Sequence, residues 1–178
     1  MTRCILKDEP VFSVYVAGSL FTLFERMGNI TFAQLIKGFI QGELERRGSN
    51  LVCQVILPQE EAKTLIKDGK LDLEAVVANC IHHAKTVTVM VASGDGPDCD
   101  SGTCIEIGVR HGYDPKLPIV LYRTDFRGSE ENGMNAMLKI CGEPVMVPSF
   151  GEDLHQLVQA IAKVAVERGL AFLNAQAA

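Results

Sequence analysis

The residues best suited to chemistry lie in one stretch, Ser93-Gly94-Asp95-Gly96-Pro97-Asp98-Cys99-Asp100-Ser101-Gly102-Thr103-Cys104-Ile105-Glu106-Ile107-Gly108. Its first ten residues hold three aspartates and three glycines, the composition of an exposed turn, and a helical pattern follows. Asp100 and Glu106 stand six positions apart across the start of that helix, so both carboxylates can border one pocket. Neighbouring carboxylates in a partly buried site raise each other's proton affinity, which lets one attack while the other manages a proton. The same residues have a purely local use. Asp100 or Ser101 can cap a helix, and Thr103 to Glu106 fits the Ser/Thr-x-x-Glu capping box. One residue serves both ends only if its carboxylate still faces the cleft.

Two further loops carry usable groups. In Tyr15-Val16-Ala17-Gly18-Ser19-Leu20-Phe21-Thr22 the small residues let a ligand approach the backbone, and Phe21 can stack on a flat ring or fill the core. The loop Arg123-Thr124-Asp125-Phe126-Arg127-Gly128 leads towards Asn135. Asp125 and Arg127 read as a structural ion pair. Asn135 has donors and an acceptor for a sugar hydroxyl or a base edge, or for capping a helix. Neither GxGxxG nor a Walker lysine occurs, so no cradle for a dinucleotide or a nucleoside triphosphate is visible.

These loops must be held by the elements around them. Strand patterns run over Val11 to Val16, Leu51 to Leu57, Thr86 to Val91, Pro118 to Tyr122 and Glu143 to Val147, mostly apolar throughout, as in strands covered on both faces. Helical periods alternate with them. Phe32, Leu35, Ile36, Phe39, Ile40 and Leu44 make one stripe ending at Gly48, and Leu154, Leu157, Val158, Ile161 and Ala165 make another. Further helices are predicted over Leu71 to Ala84, Gly102 to Gly112 and Gly133 to Ile140, with a frayed tail from Asn174 to Ala178. The alternation predicts an α/β fold: one domain over residues 1–178, a doubly wound five-stranded parallel sheet in a flavodoxin/Rossmann-like three-layer sandwich. Ligands of such sheets bind beyond the carboxyl ends of the strands, where the winding reverses.

Bulk properties narrow the function classes. The 178 residues are 47% hydrophobic and 22% charged, with net charge −5, so no basic footprint for a nucleic-acid backbone exists. No apolar run is long enough to span a membrane, and the charged start at Lys7, Asp8 and Glu9 is unlike a signal core. The six cysteines, Cys4, Cys53, Cys80, Cys99, Cys104 and Cys141, read as reduced thiols of a cytoplasmic protein. Cys99 and Cys104 lack a second pair at matching spacing, and adjacent His82 and His83 cannot share one site on a helix, so no metal is expected.

Taken together, the loops resemble the nucleoside 2-deoxyribosyltransferase family. The resemblance rests on Tyr15-Val-Ala-Gly-Ser-Leu-Phe21, on Asp100-Ser-Gly-Thr-Cys-Ile-Glu106-Ile-Gly108 and on Asn135-Ala-Met137, in that order along the chain. It implies that Glu106 attacks the anomeric carbon of a 2′-deoxynucleoside to form a covalent deoxyribosyl-enzyme, as in retaining glycosidases. By the same resemblance Asp100 handles the base and its proton, Tyr15 orients Glu106, and Gly18, Ser19, Phe21 and Gly102 line the substrate site. Asn135 and Met137 correspond to a segment that reaches a neighbouring subunit's site. No cofactor is implied; the partners are nucleosides and nucleobases, and a homo-oligomer with shared sites is expected. On the helix before the third strand the family carries an acidic or amide residue; the matching position here is Val77, a departure from the pattern, with Asn79 and Glu74 as the substitutes nearby. Two alternatives remain: a hydrolase of nucleoside 5′-monophosphates using Gly18, Ser19 and a basic residue such as Arg26 for part of the phosphate pocket, and a non-catalytic nucleotide sensor.

Overall fold

The computed structural model describes residues 10–96, 99–124, 134–146 and 154–177. In chain order these form β1 (Val11–Ala17), α1 (Leu23–Arg46), β2 (Val52–Ile56), α2 (Pro58–Ala62), β3 (Ile66–Lys67), β4 (Lys70–Leu71), α3 (Leu73–Thr86), β5 (Val89–Ser93), α4 (Ser101–Tyr113), β6 (Ile119–Arg123), α5 (Ala136–Cys141), β7 (Glu143–Met146) and α6 (Leu154–Ala177). The main sheet is parallel, in the order β2-β1-β5-β6-β7. Numbered along the sheet's own strands this is the 2-1-3-4-5 order of flavodoxin-like folds, and the winding reverses between β1 and β5.

Side-chain alternation along β1 builds the two outer layers. Phe12, Val14 and Val16 face one side, where Phe32, Ile36, Ile40 and Leu44 of α1 meet Leu157, Val158, Ile161 and Ala165 of α6. Tyr15 and Ala17 face the other side, against Ala84 of α3 and Ile107 of α4. Helix α6 lies so close to β1 that a Cβ at Gly169 would stand 2.4 Å from the Phe12 ring, so only glycine permits this approach.

The third sheet strand begins later than its β-branched pattern predicts. Arg110, fully buried on α4, donates to the carbonyls of Ala84, Val87, Thr88 and Pro118 at 2.8 to 3.1 Å. It holds residues 84–88 as the end of α3 and a link into β5, so Thr86 is helical. Burial lowers the guanidinium to about 10, which leaves it cationic at neutral pH. Helix α1 starts earlier than its apolar stripe: Thr22 caps it, with its hydroxyl accepting from Glu25 N and its own N–H donating to Glu25 Oε2. The segment from Asn174 to Ala177, expected to fray, continues α6. The small β3–β4 hairpin turns through Asp68 and Gly69, both at positive φ, as a two-residue Asp-Gly turn requires. The ion pair expected of Asp125 and Arg127 lies outside the described residues, as do Gly133, Val147 and Ala178.

Candidate active site

The fold brings Tyr15 of the first motif, on β1, together with Glu106 of the second, on α4. Tyr15 leaves the core face of β1 towards α4, and its hydroxyl donates to Glu106 Oε1 at 2.7 Å. Tyr15 is fully buried and Glu106 half-buried. Burial holds the Glu106 carboxyl above the usual carboxylate range; the Asp100 charge adds to the rise, while the bonds from Tyr15 and from the Cys80 thiol oppose it. Burial, and then the Glu106 charge, push the Tyr15 phenol well above its ordinary value, so it remains the donor at neutral pH.

The cap of α4 leaves Glu106 without the capping use that its spacing also allowed. Asp100 is the N-cap: its Oδ2 accepts from Thr103 N at 2.9 Å and from Thr103 Oγ1 at 3.1 Å. The cap is thus supplied three residues before Thr103, and the Thr103–Glu106 box does not form. Glu106 instead sits in the second turn with its carboxylate turned towards β1. Gly102 matters to this turn, because a Cβ there would lie 3.1 Å from Asp100 Oδ2.

A cleft of about 510 Å³ opens at the carboxyl ends of β1, β5 and β6, at the winding reversal. Ser19, Glu25, Asn29, Ser93, Asp95 and Asp100 supply most of its polar lining. The volume lies within the range of small-molecule sites. Asp100 lines it; Tyr15 and Glu106 stand outside that lining.

No family model matches the chain, and no curated protein matches it. Solved structures do. The chain is similar to a conserved protein from Enterococcus faecalis V583, with TM-score 0.64 and 20% identity over 89% of this chain and 99% of that one. It is similar to the 2-deoxyribosyltransferase from Bacillus psychrosaccharolyticus, with TM-score 0.52 and 19% identity over 82% of this chain and 95% of that one. It is also similar to an oxidoreductase from Corynebacterium diphtheriae, with TM-score 0.51 and 14% identity over 94% of this chain and 99% of that one. What these likenesses share is the flavodoxin-like fold. Chemistry has to be argued from the side chains.

The remaining motif residues scatter around the cleft. Gly18 packs beside Ser93 and Asn29, and Asn29 Nδ2 donates to Ser19 O at 2.9 Å. The Ser19 hydroxyl donates to Glu25 Oε1 at 2.7 Å. Phe21 is 79% exposed and does not line the cleft, so it is neither core nor positioned against a ring there. Asn135 caps α5, its Oδ1 accepting from Met137 N at 2.8 Å, and both residues are exposed. Arg26, a possible phosphate ligand by sequence, turns back to donate to Leu20 O and Phe21 O.

Three residues near Glu106 escaped the sequence reading. Cys80 of α3 interacts through its thiol with Tyr15 and Glu106, whereas Val77 is exposed and Asn79 half-buried. His83 stacks on the Tyr15 ring, and Glu61 of α2 holds His83. The signal available was the i, i+3 spacing of Cys80 and His83, which puts both on one helix face. Among the described residues no group of three or more His, Cys, Asp or Glu is placed to hold a metal, and no helix is long and apolar enough to cross a membrane.

Proposed function

We propose that this chain cleaves the N-glycosidic bond of 2′-deoxynucleosides and passes the deoxyribosyl group to a second base through a covalent Glu106 intermediate. The Tyr15–Glu106 hydrogen bond carries the reading. A nucleophilic carboxylate needs one oxygen held so that the other is aimed, and a donor that tempers its charge without protonating it. In the first step Glu106 forms a bond to C1′ as the C1′–N bond breaks, and the departing base takes its electrons and a proton. Asp100 is the residue assigned to that proton, since both of its capping bonds fall on Oδ2. An acceptor nitrogen then attacks C1′ from the same face, releases Glu106 and surrenders its proton, giving net retention.

The charges around the cleft favour an unphosphorylated sugar over a 5′-monophosphate. Glu25, Asp95 and Asp100 line it, and among the described residues no Lys, Arg or His does. At the N-terminus of α1, where a phosphate would otherwise find helix amides, the Glu25 carboxylate is already bound by Ser19 and Thr22. The Ser19 bond first, then the Thr22 backbone, keep Glu25 below the usual carboxylate range and therefore anionic. Asn135 and Met137, exposed on α5, are proposed to contribute to a neighbouring subunit's site.

The test is incubation with deoxyinosine or deoxycytidine, each with and without adenine, followed by chromatography. Adenine should give deoxyadenosine and the free starting base, and Glu106→Ala should abolish both products. Release of base and sugar phosphate from a 5′-monophosphate, without exchange, would replace this reading with the hydrolase. Ligand binding with no turnover of any substrate would replace it with the sensor.

A further inference from the structure

On its helix side the Tyr15 ring is covered by the His83 imidazole, with centroids 5.9 Å apart and planes 24° from parallel. Along the sheet Tyr15 is flanked by Ile56 of β2 and Met90 of β5, its partners in register. Sheet neighbours limit sideways movement of the ring, and the imidazole limits its tilt away from the sheet. The imidazole is itself anchored: Nε2 lies 2.7 Å from Glu61 Oε2, and its side chain is 16% exposed. Glu61 arrives on α2, a five-residue helix that Pro58 begins at the end of β2, and α2 packs on α3. His82, the adjacent histidine, is exposed on another face of α3, so only His83 meets Tyr15.

We infer that His83, oriented by Glu61, is a positioning residue that braces the Tyr15 ring and so sets where its hydroxyl holds the Glu106 carboxylate. The inference rests on the proposed role of Glu106. The contact runs Glu61, His83, Tyr15, Glu106, through a hydrogen bond, a ring stack and a second hydrogen bond. With its proton on Nε2 the imidazole donates to Glu61 Oε2, which fixes the orientation of the ring. Charged or titratable groups facing the unit are Cys80 and Glu106 at the phenol end and Glu61 and His82 at the imidazole end. Asp100 acts on Glu106 from the cap of α4. Position is what a nucleophile of this kind is sensitive to, because small displacements of a reacting oxygen carry large rate penalties.

The experiment is a double-mutant cycle on the full chain, pairing His83→Ala and His83→Phe with Tyr15→Phe and measuring deoxynucleoside exchange. His83→Ala should lower kcat about tenfold with KM nearly unchanged, and His83→Phe, which keeps a ring on Tyr15, should recover most of it. In the Tyr15→Phe background, where no hydroxyl remains to be positioned, His83→Ala should cost less than about twofold. Full kcat in His83→Ala, or an equal loss in both backgrounds, overturns the inference. Carbon NMR titration of the Glu106 carboxyl supplies a readout that needs no turnover. The Tyr15 bond lowers the Glu106 pKa, so His83→Ala should move that titration to higher pH while His83→Phe leaves it near wild type; an unmoved titration in His83→Ala overturns the inference. Should His83→Ala not fold, Glu61→Ala, which frees the imidazole, is expected to show the same upward movement in smaller degree, and no movement overturns the inference. A wild-type chain without Glu106-dependent turnover would count against the functional reading alone, since the titration still decides the bracing.

Discussion

Two glutamates in this molecule each accept a hydrogen bond from a hydroxyl at 2.7 Å, Glu106 from Tyr15 and Glu25 from Ser19, and they end in opposite electrostatic states. Glu106 is shifted up because burial outweighs its donors. Glu25 is shifted down because the Ser19 hydroxyl and then the Thr22 N–H bind it, while its exposure to solvent leaves little burial to oppose them. The hydroxyl contact lowers both; burial, dominant at Glu106 and small at Glu25, sets the opposite signs. Burial thereby favours the neutral form of one carboxylate, while hydrogen bonds favour the charged form of the other.

The largest effect is expected at the buried member. Glu106→Ala should reduce exchange by about a thousandfold or more while the protein stays folded. Were Glu106 a cap, the variant would lose about 1 kcal/mol of stability and keep its activity. Tyr15→Phe should slow exchange by about tenfold to a hundredfold. It should also shift the acid limb of the pH–rate profile upward, because a donor that lowers the Glu106 pKa is gone and the anionic nucleophile is lost at higher pH. An unmoved limb would show that the phenol does not act on Glu106. Thr22→Ala removes the side-chain cap of α1 and should cost about 1 kcal/mol in chemical denaturation, with little change in exchange.

The smallest effects lie in the pH dependence of melting. The Glu106 pKa is higher in the fold than in the unfolded chain, so its contribution is fully present below the unfolded value and fades as pH rises through the folded one. Glu106→Gln should therefore raise Tm at neutral pH relative to wild type, and the difference should close near about pH 4. Glu25 has the reverse sign: its contribution is present above the unfolded value and fades as pH falls through the folded one. Glu25→Gln should lower Tm at neutral pH, and that difference should also close in acid. Equal signs for the two variants at neutral pH would remove the contrast between the sites.

Legibility followed the range of the interaction. The parallel sheet was readable because strands covered on both faces must be apolar along their length, as Val89 to Ala92 and Ile119 to Tyr122 are. The α1 stripe was readable for the same reason, through Phe32, Ile36, Ile40 and Leu44. Its true start was hidden because Phe21, Leu23, Phe24 and Met27 are exposed and blur the apolar period, although Thr22-x-x-Glu25 matched the capping box. Within the candidate site, Asp100 was legible as a cap and Glu106 as a carboxylate near a helix start. Which of them did the capping was not, since Asp100 with Thr103 and Thr103 with Glu106 have the same spacing of three.

By itself the amino-acid order determined the α/β alternation, the loops that gather at the strands' carboxyl ends and the carboxylates they carry. These follow from periods of two and 3.6 residues, which every segment expresses without reference to the others. The meeting of Tyr15 and Glu106 across 91 positions was implied by the motif resemblance but by no periodicity, and tertiary structure alone decided that His83 rather than His82 would cover the Tyr15 ring and that Arg110 would be buried against four carbonyls. Those pairings depend on strand order and on how each helix is rotated against the sheet, and both are set by the packing of all layers together.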